Sequence, residues 1–514
     1  MKTEAEGSLT IFSAVSLLLI LSFLLALLEG ARVSGLKMMD TLAAETGMDC
    51  VAAEYQTALW DKYHLLYLDG AYGSDQFDKD KVSSHVMDYV SLNLSESGEN
   101  SMFRTKLCEA SLEQYMFATD NDGANVLHQA AAYMKRHLPE DVAKKLYQQY
   151  QDGQQAQEDG KTEYSVEDAD QAIENAKKEK AEMEAQNSKQ DDTQAKEGEN
   201  AGQNKENADQ TQSTEDEKIE SPLQIVLQIK QNAILGMTVS DMSSLSTKAI
   251  EVKNTVSQRQ CETGIYDANK AEKSDIFDRV MVLEYIEKYF SSYAEPGKGD
   301  LAYEMEYILC GKDTDKKNLE SSVERLMLIR EAANVAHIVM DREKLNQTLI
   351  IATSLAGFSG NPAVVKIVQI GVVAAWAYVE SILDLRSLLS GGEIALIKTS
   401  TEWTTDIKKI GEFVSNGGKA KECTNGLSYQ SYVKQLLFAM KEKKLAYRMM
   451  DIMELAIQKD ENSKNARMDH MIDTMTCKMR FEAGPLFAKR NLYGGKAVGR
   501  YTFFKNQKMS YINE

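Results

Sequence analysis

The sequence predicts an α+β fold, predominantly helical, hung from one N-terminal transmembrane helix, and three observations predict it. Ser8–Leu28 contains neither a charged residue nor a proline; apolar residues recur at helical spacing through residues 30–62 and much of 221–458; beyond Cys477 the spacing changes to two. At ~1.5 Å per residue the charge-free run just spans a bilayer core ~30 Å thick. Everything after Arg32 is too polar to be membrane of the same kind, so the bulk of the chain reads as a soluble body.

The division along the chain is a short leader (1–7), an anchor (8–28), an amphipathic helix with the first part of the body (29–150), an acidic insert (151–220) and the second part of the body (221–514). The leader carries one lysine against two glutamates, and the apolar run exceeds the ~7–15 residues of a secretory signal, which favours an uncleaved anchor. Lys2 and the terminal amine compete with Arg32 and Lys37 for the positive-inside side; the N-terminus inside and the body outside the cell membrane is the orientation adopted.

After the anchor, Leu36, Met39, Leu42, Ala43, Cys50, Val51, Tyr55 and Leu59 form one helical face, and no proline separates them from the apolar run. A single helix is therefore predicted from about Leu9 to Trp60, although Gly30, Gly35 and Gly47 each weaken it by ~1 kcal/mol relative to alanine. Leu65–Asp69 then reads as a short strand entering an Asp-Gly turn at Gly70. Residues 151–220 hold 21 Asp and Glu against 8 Lys and few large apolar side chains, which predicts a disordered insert with transient helix around Val166–Ala185. Its deletion (155–218) is expected to leave the thermal transition of the body unchanged.

Downstream, Ser221-Pro222 opens a helix through about Leu235. Segments 277–295, 301–311, 317–342 and 344–358 have helical periodicity, with Asp313-Thr314-Asp315 capping the third. Lys317 stands where a calcium loop needs an oxygen ligand, so calcium is not expected there. Ala363–Leu383 could be a second span, but Lys366 and Glu380 leave an uncharged centre too short to cross. It is read as a core helix whose two charges reach the surface at its ends, closed by Ser390-Gly391-Gly392. A strand at Glu393–Thr399, a helix at Tyr429–Gln458 and terminal strands complete the chain. Lys489, Arg490, Lys496, Arg500, Lys505 and Lys508 are read as charges on the open face of a hairpin.

The net charge is −19, of which the insert carries −13, leaving −6 over the other 444 residues and no electrostatic footprint for nucleic acid. The six histidines (64, 85, 128, 137, 337, 470) show no metal-binding pair spacing, and the six cysteines contain no CxxC. No Walker loop, dinucleotide fingerprint or HExxH is present, so no cofactor, metal or catalytic set is assigned. Two groups of residues are singled out: Glu29 and Arg32 at the membrane boundary, and a possible polar cluster of Trp376, Glu380, Asp384 and Arg386, read as a polar helix edge with a local ion pair.

Four blocks in order, Gly7–Phe12 with Leu28–Arg32, Glu306–Asp313 with Asn318-Leu319, Trp376–Glu380 with Asp384–Arg386, and Gly426–Tyr429 with Arg448–Asp451, resemble the bacterial family called domain of unknown function 5702. That family has no established activity. The N-terminus is also similar to those of TadE and TadG proteins of tight-adherence pilus machines, which implies a minor pilin or assembly factor with its body outside. Counting from Ser8, Phe12 stands where processed pilins carry glutamate, which argues against cleavage after Gly7. Two function classes follow: a membrane-anchored structural or assembly component of a Tad-like pilus or secretion apparatus, with membrane lipid and apparatus components as partners, or an extracytoplasmic enzyme with no recognisable motif, the cell wall being one candidate substrate.

Overall fold

The charge-free run becomes the first half of one unbroken helix, Lys2–Ala52, in the computed structural model. The structure describes residues 2–95, 102–138, 144–145, 147–148, 166–191, 221–266, 275–423, 425–487 and 499–512. From Leu9 to Leu28 the side chains of this helix are almost all exposed, and the segment is long and apolar enough to cross a membrane. From Glu29 onward a buried stripe appears at three- and four-residue steps: Glu29, Arg32, Leu36, Asp40, Ala43, Ala44, Met48 and Val51. Two of the glycines that weaken the sequence prediction are close approaches. A Cβ on Gly35 would strike the Phe103 ring, and one on Gly47 would strike Val90. The helix ends at Ala52 rather than near Trp60, and a separate short helix, Thr57–Tyr63, follows.

The chain folds into two compact units. Unit 1 comprises Met1–His137, Glu251–Tyr285 and Lys441–Glu514; unit 2 comprises Leu138–Ile250 and Ile286–Met440. This interleaving differs from the linear division at 29–150 and 221–514, because the C-terminal strands pair with elements laid down hundreds of residues earlier.

Unit 1 is built on an antiparallel sheet of β1 (Leu68–Asp69), β2 (Lys106–Phe117), β3 (Met471–Ala483) and β4 (Tyr501–Ser510). Strand β3 is central: β2 pairs along one edge, while β1 at Met471–Ile472 and β4 at Thr474–Ala483 share the other. The period-two pattern read beyond Cys477 is the buried row Met475, Cys477, Met479 and Phe481, which lies under the Lys2–Ala52 helix and the helix Lys79–Ser95. The opposite face is polar, with Arg480 joined to Glu109 and Glu482, and Arg500 to Glu482. Lys489, Arg490 and Lys496 lie outside the described residues. The Asp69 carboxylate accepts from the backbone of Ala71 and Gly73, which makes the predicted turn.

Unit 2 is helical around Pro362–Leu389, a 28-residue helix buried from Val368 to Leu385. It is buried on all sides because helices pack round it, among them Asp315–Met340, Arg342–Ala356 and Pro222–Ile229. Thr314, rather than either neighbouring aspartate, caps Asp315–Met340 by accepting from Lys317 N. Asp315 is fully buried and accepts from the backbone of Ala302 and Tyr303, while Lys317 pairs with Asp313. The predicted helix 222–235 divides into Pro222–Ile229 and Ile234–Thr238. The predicted helix 429–458 likewise divides into Tyr429–Phe438 and Glu442–Ile457, each half following the core of its own unit.

Within the acidic insert, Val166–Asp191 is helical, over the segment where the sequence suggests helix, and it packs along the Pro362–Leu389 helix. Ala169, Ile173 and Ala176, three and four residues apart, are buried. Small side chains let this polar sequence lie close to an apolar neighbour, which composition averaged over 70 residues conceals. Residues 151–165 and 192–220 lie outside the described residues. The expectation for deletion of 155–218 changes accordingly: it should lower the transition of unit 2, and Ile173→Asp alone should cost ~1–3 kcal/mol by burying a charge without a partner. Calorimetry in which both variants melt like the parent would contradict this packing.

Candidate functional site

Glu380 and Asp384 lie one helical turn apart on Pro362–Leu389 and are both fully buried, so Glu380 does not reach the surface as the sequence suggests. The reason is Lys398, also buried, which enters between them and forms ion pairs with both. Glu380 accepts in addition from Thr404 N at 3.1 Å and Thr405 N at 2.9 Å. Asp384 is held by Arg330, with Nε at 3.0 Å, and by Asn334 Nδ2 at 2.9 Å. Burial works to raise the Asp384 carboxyl, but Arg330 and Lys398 outweigh it and hold it below its ordinary value.

Arg330 organises the rest. Its guanidinium donates to Ala395 O, Leu396 O and the Tyr432 hydroxyl at 2.8–2.9 Å. This use of the backbone explains why Glu393–Thr399 is not a strand. Only the bridge Ile394–Leu427 forms; the next two carbonyls are occupied by Arg330, and the Lys398 side chain is buried between the two acids. Gly426 permits that bridge, since a Cβ there would stand 2.6 Å from the Glu393 carbonyl carbon. Burial pushes the Tyr432 hydroxyl up to about 12 against the opposing pull of Arg330.

Of the four residues predicted to cluster, Trp376, Glu380 and Asp384 face one region and Arg386 does not. Trp376 donates to Thr405 Oγ1 at 2.8 Å, whereas Arg386 caps carbonyls of Met237, Phe413 and Gly418. Lys398, Arg330, Asn334 and Tyr432 were not legible, because their separations of up to 102 residues carry no local signal. Two carboxylates and two cations make the network neutral, closed and saturated, which suits a structural core and leaves neither acid free to exchange a proton with substrate.

An open cleft of about 630 Å³ borders this region, lined by His337, Asp341, Lys344, Ser400, Trp403 and Asp406 among others. Trp403 is enclosed: His337 stacks on it at 4.8 Å, Trp376 meets it edge-on, and Lys344 lies over its ring. Burial depresses the His337 imidazole below its usual value, aided by Lys344. Among the described residues no group of three or more His, Cys, Asp or Glu could hold a metal ion. No disulfide joins any two of the six cysteines.

Glu306, in the second resemblance block, is fully buried and accepts from Tyr293 N at 2.9 Å and Tyr429 Oη at 2.8 Å. Burial raises its carboxyl to about 7, the two hydrogen bonds opposing. Between its ordinary value of 4.5 and 7 the folded state therefore holds a proton that the unfolded chain releases. Stability is fully present below 4.5 and falls as pH rises, by ~3 kcal/mol in all. Glu306→Gln should match the parent near pH 4.5 and exceed it at pH 8. Urea midpoints with an unchanged slope against pH would refute this assignment.

Glu29 and Arg32, the other predicted pair, are each about 5 % exposed and joined at 2.9 Å. Arg32 also donates to Met102 O at 2.6 Å and Gly484 O at 2.9 Å, and Glu29 accepts from Leu486 N and Phe487 N. They fasten the helix, at the end of its apolar run, to the β3–β4 hairpin and to the approach to β2.

No curated protein and no solved structure matches the chain. Three of the four resemblance blocks fall within residues 212–483, where the chain matches the family of unknown function DUF5702. That match covers just over half of the 514 residues, and the chain belongs to this family.

Proposed function

We propose that this chain is a membrane-anchored, extracytoplasmic structural or assembly component of a Tad-like pilus or secretion apparatus. One observation carries the reading: the apolar segment and the core of unit 1 share a single unbroken 51-residue helix, clamped by Glu29 and Arg32 where the apolar run ends. A tethered enzyme needs only a flexible linker, whereas a component that must hold a fixed height and orientation above the membrane needs this coupling. The saturation of Glu380 and Asp384 supports the same reading, since it withdraws from chemistry the acid pair that stood out in the sequence.

Protease added to intact protoplasts should degrade the body, and full protection would overturn the orientation. Crosslinking in membranes followed by identification of the adducts should return envelope apparatus subunits. Recovery of cell-wall glycan on the cleft beside Trp403, with no such subunits, would favour the enzyme instead.

A further inference from the structure

Glu29 is one residue, and Arg32 four residues, beyond the last apolar position Leu28, so both lie within ~6 Å along the helix of the bilayer-core edge. Yet the groups that satisfy them are protein atoms: Met102 O, Gly484 O, Leu486 N and Phe487 N. Two loops of unit 1 therefore stand at the depth of the lipid headgroups. Their side chains suit that layer. Met102 is 49 % exposed and Leu486 41 %, large apolar groups about half open to solvent, while the Phe103 ring beside Met102 packs over Gly35. Arg104 is exposed beside them, and Arg500, 74 % exposed, precedes Tyr501, which bonds to Glu29. Apolar side chains flanked by arginine and tyrosine are the combination that partitions into an interface.

We infer that these loops form an interfacial collar, seating unit 1 directly on a bilayer that presents anionic phospholipid. Met102 and Leu486 enter the headgroup–acyl boundary, and Arg104 and Arg500 contact phosphates. The collar rests on the anchoring reading above and adds to it that the body touches the membrane it is anchored in, which removes the helix's freedom to tilt under it.

The test uses the full chain in vesicles of phosphatidylcholine with phosphatidylglycerol. A photoreactive benzoylphenylalanine is placed in turn at Leu18, Met102, Leu486 and Asn506, and adducts are identified by mass. Asn506 is an exposed β4 position five residues beyond Tyr501, ~17 Å farther along the strand. Leu486 and Met102 should yield lipid adducts several-fold above Asn506, and fewer lipid adducts when phosphatidylglycerol is omitted. Lipid adducts at Leu18 with none above the Asn506 level at both collar positions would overturn the collar and leave the anchor standing. Protein–protein adducts replacing lipid at Leu486 would also overturn it, in favour of a docking surface. Absence of lipid adducts at Leu18 would overturn the anchor itself.

Discussion

Arg330→Met should destabilise unit 2 by about 3–5 kcal/mol, because it removes the guanidinium that neutralises Asp384 and strips the donors from two buried carbonyls and a tyrosine hydroxyl. Arg330 is fully buried, so water cannot replace those donors. Arg330→Lys keeps the charge but loses the planar fork and should fall between parent and Met. Urea unfolding followed by tryptophan fluorescence reads this directly, since two of the three tryptophans, Trp376 and Trp403, belong to unit 2. A loss below ~1 kcal/mol would mean that the network is peripheral to the fold.

The corresponding variant in unit 1 is Arg259→Met, with an expected loss of about 2–4 kcal/mol. Arg259 is bidentate to Glu454 at 2.5 and 2.6 Å and reaches Asp469 at 2.6 Å, which ties the segment Glu251–Tyr285 to the Glu442–Ile457 helix and to the entry of β3. Arg467 remains on Asp469 at 2.7 Å, so Glu454 bears most of the unpaired charge. Adding Glu454→Gln should therefore recover part of the loss. Hydrogen exchange along Met471–Ala483 is the measurement: protection should fall in the single variant and partly return in the double. Equal exchange in parent and single variant would show that this cluster does not hold the strand.

How far these sites could be read in advance differs between them for physical reasons. Glu29 and Arg32 stand out because the end of a long apolar run is a sharp change in composition, but their partners at Met102 and Gly484 leave no such mark. Glu380 and Asp384 were legible as a pair through the i,i+4 geometry of one helix. Their environment was misread, since Arg386 lies nearby in sequence and turns away, while Lys398 and Arg330 arrive from other elements. Strand β2, with its bulges at Leu107/Glu109 and Leu112/Gln114, breaks the alternation that marks a strand and went unread.

The sequence by itself determined the apolar helix, the helical character of unit 2, the core placement of Pro362–Leu389 and the terminal strands, because each follows from periodicity or charge spacing within one element. Only the tertiary structure decided that Val166–Asp191 packs, that β3 binds β2 and β1 across more than 350 residues, and that four buried charges neutralise one another. Those are pairings between distant segments, and their free energy comes from desolvated contacts that no local pattern encodes.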